Sequence, residues 1–243
     1  MRPEYWHTNY GQPGQLVHKY GRNADVDTAT DPEDIWTPGG LYAFPSAAAA
    51  TTIVSTDAAD DGDPVGTGAR TVTVEGLDSA WMFTTETATL NGVGAVSVAT
   101  DYLRVFRAYV ATAGSGETNA GTITVNHGAT VLAQIEIGDG QTQMAVYTTP
   151  ADFSYGALMD FYATLVKGAA GASVKMALRT RTDGGAWQVK ESFGLQTDGM
   201  SAWQYVYPFA LKVPPKTDIV VRCLETSAND ADIAAGFDIV NIV

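Results

Sequence analysis

ASVKMALRTRTDGGAWQVKESF, residues 172 to 193, reads as a β-hairpin, and its reading decides the fold class. In its first half Val174, Met176, Leu178 and Thr180 alternate with Ser173, Lys175, Arg179 and Arg181, a period of two that gives a strand one apolar and one basic face. Asp183-Gly184 or Gly184-Gly185 supplies the tight turn. The two registers differ by two residues and keep parity, so either one predicts Trp187, Val189 and Phe193 on the apolar face. Gln188 and Lys190 then join the basic face. Lys175, Arg179, Arg181 and Lys190 would gather 4 of the chain's 14 cations there. Such a face is either neutralised by acidic loops of the same chain or serves as an electrostatic docking surface.

Similar signals run along the chain from Leu41 on. "TTIVST", "RTVTVEG", "TETATLNG", "GTITVNHG", "TQMAVYTT", "WQYVYPFALKV" and "DIVVRCLE" are Thr/Val/Tyr/Phe-rich runs separated by Gly, Asn, Asp and Pro. Short runs at that spacing indicate an all-β sandwich or barrel. Only "DPEDIW" offers a helical turn, with Asp31 as cap and Pro32 at the first position. In "YLRVFRAYV" both faces are apolar, as they are in the final "GFDIVNIV". Strands of this kind are covered on both sides, by neighbouring subunits or within a larger single-chain barrel. Arg104 and Arg107 in the first of them would need carboxylate partners.

Residues 1–40 carry Tyr5, Trp6, Tyr10, Tyr20 and Trp36 with neither a helical nor a two-residue period. This is the pattern of an extended, irregular N-terminal arm. Its aromatics either wrap their own domain or dock on neighbouring subunits, and anchoring is the expectation adopted. Residues 41–243 then form a β-sandwich domain, as one unit or as two packed β subdomains.

The totals exclude several function classes. With 27 acids against 14 Lys and Arg the formal charge is −13, which opposes binding to nucleic acid or to an anionic membrane surface. A single cysteine, Cys223, cannot form an intrachain disulfide and reads as core filler in a strand-like run. The beginning, "MRPEYWHTNYGQ", has no apolar core of a signal peptide, and no run of 18 apolar residues occurs. The chemistry-bearing motifs are equally thin. His7, His18 and His127 fall in no zinc-binding spacing, and no nucleophile elbow, phosphate loop or dinucleotide fingerprint is present. The acidic run "DAADDGDPVG", with Asp57, Asp60, Asp61 and Asp63, lacks the spacing of a calcium loop and reads as solvated. Neither catalytic nor cofactor-binding nor metal-ligating residues are assigned, and the chain is not expected to be an enzyme.

Four motifs recur in order through "GTGARTVTVEGLDSAWMFTTETATLNGVGAVSVATDYLRVFRAYVATAGSGETNAGTITV": V-x-G-L-D, E-T-x-x-L-N-G, L-R-V-x-R-A-Y-V and N-x-G-x-I-T-V. With "VPPKTDIVVRCLE" and "AGFDIVNIV" near the end, they resemble virion structural proteins of tailed bacteriophages, particularly marine ones. The resemblance covers most of residues 66–243 and carries over no catalytic residue. It implies a non-enzymatic particle component: a capsid decoration, cement or head-fibre protein, made in the host bacterial cytoplasm and residing in the virion. The fold it suggests is a sandwich of jelly-roll type. Its partners would be the major capsid protein or other virion proteins and further copies of itself, most simply as a trimer, with no cofactor, nucleic acid or membrane. A tail accessory or receptor- or glycan-binding module is the alternative.

Overall fold

The computed structural model describes residues 14–167 and 171–243. Among them there is no helix; every regular element is a β-strand and every pairing is antiparallel. The all-β expectation therefore holds. The chain opens with β1 (Gly14–Val26) and β2 (Glu33–Asp34). It continues through β3 (Thr51–Ser55), β4 (Ala69–Leu77), β5 (Phe83–Thr89), β6 (Val96–Ser97), β7 (Arg104–Ala113), β8 (Ile123–His127) and β9 (Thr130–Ile135). It closes with β10 (Val146–Thr148), β11 (Tyr155–Lys167), β12 (Ser173–Thr182), β13 (Gln188–Gln196), β14 (Ala202–Val213), β15 (Thr217–Thr226) and β16 (Ala231–Ile242). Two compact units result, one from the chain up to Tyr42 together with Met144–Val243, the other from Ala43–Gln143.

The first unit has two four-strand layers, ordered β1-β16-β11-β14 and β10-β15-β12-β13, with β2 added on β15. Its pairings are nested: β1 with β16, β10 with β15, β11 with β14, β12 with β13. The strands thus behave as one long hairpin, its tip at the β12–β13 turn, rolled up so that alternate pairs fall in opposite sheets. Eight strands in this arrangement are a jelly roll. Gly184 sits at φ +72° and the Gly185 amide donates to the Thr182 carbonyl at 2.8 Å, so Asp183-Gly184 is the central pair of the turn.

The core between the layers comes from the inward-facing parity of each strand. Leu158, Phe161, Phe237 and Ile239 on one sheet oppose Val174, Met176, Leu178 and Val221 on the other, all essentially inaccessible. Phe193 bridges the layers, 4.9 Å from Phe161 and 4.1 Å from Trp203 between ring centroids, in contacts worth about 0.5–1.5 kcal/mol each beyond their area. Cys223 is fully buried opposite Met176, as core filler should be.

Three local expectations need correction. Residues 14–26 are a regular strand paired along the length of β16, not an irregular arm. The pattern hides it because Lys19, Gly21 and Asn23, lying opposite Phe237, Ala235 and Ile233, put no apolar side chain on the inner parity. Gly21 is required there, since a Cβ would collide with the Ile35 carbonyl and the Ala145 amide. "DPEDIW" forms no helical turn: Asp34 and Glu33 pair with Arg222 and Cys223, and the Asp31 carboxylate accepts the Thr226 amide at 2.6 Å instead of capping a helix. Finally, the hairpin carries a bulge between Leu178 and Arg179, beyond which Arg179 faces Val189 and Thr180 faces Gln188. One extra residue reverses parity. Phe193 stays inside opposite Met176, but Val189 and Trp187 move to the outer face, and Lys190 leaves it.

Both faces of β16 are covered by the chain itself. On the outer side Val240 and Ile242 cluster with Ala157 and Met159, flanked by Tyr155 and Ala210. This double-faced strand calls for no second subunit.

The second unit holds a four-stranded sheet, β6-β3-β8-β9, and a three-stranded one, β5-β4-β7. Tyr102, Leu103, Val105 and Phe106 fill its interior from both faces of the "YLRVFRAYV" strand. Arg107 meets Glu75 at 3.3 Å, as expected. Arg104 donates to the carbonyls of Pro45 and Leu103 and stacks over Phe44 and Trp81. The acidic run is structural at its centre. Asp60, with no exposed surface, accepts the amides of Ala69 (2.7 Å), Ala120 (2.8 Å) and Gly121 (2.9 Å) and the Ser55 hydroxyl (2.6 Å).

Candidate functional site

A cluster of paired charges lies on the outer face of the second jelly-roll sheet. Alternation along β12 projects Lys175, Ala177, Arg179 and Arg181 outward, and β15 sets Glu225, Arg222, Val220 and Asp218 beside them in register. Two of the cations are matched. Arg181 donates through Nη2 and Nε to Asp218 Oδ2 at 2.7 and 3.2 Å, and Arg222 forks onto Asp34 at 2.5 and 3.1 Å. Asp34 is fully buried, delivered by β2, and its second oxygen also accepts the Tyr42 amide at 2.8 Å. Bidentate pairs of this kind are the strong ones, and breaking a buried one costs about 3–5 kcal/mol. Lys175 meets Glu225 at 3.5 Å with both side chains in water, a contact of little energetic weight.

Trp187 is the feature that alternation alone misplaces. The bulge carries its indole onto this face, where it lies 4.7 Å from the Arg181 guanidinium, 5.6 Å from that of Arg179 and 5.7 Å from that of Arg222. Arg179 lies among them with its Nε buried and without a hydrogen-bond acceptor. Burial, together with the Arg222 charge, pulls the Arg179 pKa below the ordinary arginine value, with Asp34 opposing. The cluster therefore holds three guanidiniums and two carboxylates under one aromatic ring.

Of the basic face expected from sequence, Lys175, Arg179 and Arg181 do share a surface. Lys190 does not: its ammonium donates to Gln188 Oε1 at 2.7 Å, on the side of the bulged strand that carries Gln188 opposite Thr180. Arg181 is neutralised from within the chain, whereas the Arg179 Nε meets no acceptor. Counter-ions Asp34 and Asp218, Arg222 and the Trp187 ring were missed. For Asp218 and Arg222 the signal was present, as they share one parity in "DIVVRCLE"; for Trp187 it was not, because nothing in the sequence marks the bulge.

Among the aromatic anchors, Tyr5, Trp6 and Tyr10 lie outside the described residues. Tyr20 stands on β1 opposite Gly236, 39% exposed, and is available to a partner. Trp36 is not: it is 4% exposed, donates Nε1–H to the Gly40 carbonyl at 3.1 Å and meets Tyr42 edge-on at 5.1 Å. The short bridge to Met144 holds it inside its own unit.

Two further clusters bear on ligands. Asp25, Asp27 and Asp230 bring carboxylate oxygens within 4.8 Å of one another at the surface, an oxygen set suited in type to a hard cation. Repulsion from Asp27 is the main reason the Asp25 carboxyl sits above its ordinary pKa. On β14, Trp203, Tyr205 and Tyr207 form a row of half-buried rings. Trp203 and Tyr205 lie nearly parallel at 5.7 Å, but Tyr207 stands at 86° to Tyr205 and Trp203 packs against Phe193. The row packs against Phe161 and Phe193 and does not present a flat platform.

No known family profile matches the chain, and no curated protein sequence does. Solved structures give faint likenesses. Infectious bursal disease virus, Gt strain, aligns over 96% of this chain and 73% of its own at 10% identity and a TM-score of 0.25. T=1 particles derived from the same virus align over 99% and 74% at 11% identity and 0.24. A carbohydrate-binding module specific for non-crystalline cellulose aligns over 53% and 81% at 12% identity and 0.22. The chain thus has a weak likeness to a viral capsid β fold, at scores too low to carry any argument about function.

Proposed function

We propose that the chain is a non-enzymatic structural component of a bacteriophage particle, of the capsid decoration, cement or head-fibre class. The observation that carries this reading is the nested eight-strand roll itself, joined to the ordered motifs between residues 66 and 125 and at the C-terminal end. Jelly rolls of this order serve viral capsids and lectins alike. Here the space between the layers is filled by Phe161, Phe193, Phe237 and Ile239, which leaves binding to the surface of the roll. The buried carboxylates Asp34 and Asp60 are engaged in internal hydrogen bonds, which suits a scaffold that works through its surface.

Self-association belongs to the proposal, and a trimer rests on the resemblance alone now that β16 buries both faces internally. Immunogold labelling of purified phage particles with antibody against this chain tests the assignment. Gold distributed over the head supports it. Gold confined to the tail replaces it with the tail-accessory or receptor-binding role, and particles free of the chain refute it.

A further inference from the structure

Arg179 stands in a cluster with one cation too many. Arg181 takes Asp218 and Arg222 takes Asp34, while the Arg179 Nε–H is buried with no acceptor. A buried donor left unmatched is a cost to the isolated fold, and in a chain of net charge −13 there is no shortage of carboxylates to relieve it. The Nε edge is sealed from outside, so the guanidinium offers its paired Nη donors, beside an indole face, to a planar carboxylate.

We propose that Arg179, Trp187 and the adjoining edge of β13 form a docking site for an extended acidic segment of a partner polypeptide, one of whose carboxylates completes Arg179. The edge decides for a polypeptide. Strand β13 ends its sheet and, among the described residues, pairs only with β12, so a row of main-chain donors and acceptors is open along it. An extended segment laid on such an edge gains main-chain hydrogen bonds and points alternate side chains to one face. On the outer face those side chains would meet Val189, opposite Arg179 and 52% exposed, and the Trp187 ring. A glycan would use the guanidinium and leave the edge unpaired.

This inference rests on the reading that the chain acts by docking on other proteins, yet its test needs no particle. The full chain, labelled with nitrogen-15, is titrated with a capped hexapeptide of alternating Thr and Glu while the Arg179 Nε–Hε resonance is followed. A saturable shift with a dissociation constant of about 1 mM or tighter is expected. It should weaken between about 0.1 and 1 M salt as the Debye length falls from about 10 to 3 Å. The same peptide with Gln for Glu should give no shift, and Arg179→Lys, which keeps the charge without the fork, should bind about tenfold more weakly. Arg179→Met should lose binding and melt at or above the parent temperature, because it removes an unmatched charge; Arg222→Met should melt lower, because it strands Asp34. Absence of a shift up to about 10 mM peptide overturns the proposal. So does a shift produced by oligogalacturonate and not by peptide, which would make the site a glycan site. An Arg179→Met variant that loses stability as severely as Arg222→Met would assign Arg179 to the fold instead. Immunogold on particles can fail while the peptide titration succeeds, so the two readings fall separately.

Discussion

Removing residues 1–40 separates an anchoring arm from an integral strand. If the segment were an arm, a chain beginning at Leu41 would keep its folded domain and lose only its partners. The structure makes the opposite outcome the expected one. Strand β1 pairs with β16 at eleven register positions, and each main-chain hydrogen bond lost is worth about 1 kcal/mol net, so the ladder alone accounts for roughly 10 kcal/mol. Deletion also removes Asp34 and strands Arg222, whose side chain is 8% exposed, for about 3–5 kcal/mol more. Together these equal or exceed the roughly 5–15 kcal/mol that holds a typical domain folded.

The second unit should survive, because its strands β3–β9 pair only among themselves. Urea unfolding followed by near- and far-ultraviolet circular dichroism compares residues 41–243 with residues 14–243. The longer chain should unfold with native signals from both units. The shorter should keep only the transition of Ala43–Gln143, with the signal of the Phe161–Phe193–Trp203 ring cluster gone. A chain of 41–243 that keeps that signal and unfolds at the parent midpoint would refute the reasoning and restore the arm.

Asp60→Ala strands three amides and a hydroxyl in the interior of the second unit and should destabilise it by about 3–5 kcal/mol, read as a lower urea midpoint at unchanged m. Cys223, whose thiol burial pushes up to about 12, should resist iodoacetamide in the native protein at about pH 8 and react only after unfolding, as intact-mass analysis would record. Burial pushes the Glu33 carboxyl up, but hydrogen bonds from Thr30, Gly40, Asn23 and Asp27 outweigh it and hold the group below its ordinary 4.5. A depressed carboxylate lends stability in full above that value, so the parent's unfolding free energy should fall as pH drops below about 4.5, and Glu33→Gln should flatten that slope. An unchanged slope in the variant would assign the acid sensitivity to other carboxylates.

What the sequence made legible is what depends on neighbours along the chain. Alternation of Val174, Met176 and Leu178 against Lys175, Arg179 and Arg181 gave a strand with the right inside, and Asp183-Gly184 gave the turn. Pairing partners far apart in sequence left no such trace. Nothing local to Gly14–Val26 announces that it lies against a strand more than two hundred residues away, and its buried Lys19 and Asn23 argue against burial by type. Trp36 shows the converse, an aromatic in an unpatterned segment that the short β2 pairing draws into the core.

The candidate site failed to appear in the sequence for a sharper reason. A hairpin without the bulge at Leu178–Arg179 would bury Trp187 and Val189 and leave four cations on a bare polar face, where each could be solvated and none would be special. With the bulge, Lys190 departs, and an indole arrives over three guanidiniums. Water is displaced from around Arg179, and its Nε–H is left without an acceptor. The aromatic cover over the guanidiniums and the departure of Lys190 therefore share one cause, and restoring the plain register by deleting Lys190 should return Trp187 to the inner face, read as a changed indole fluorescence, while leaving Phe193 in the core.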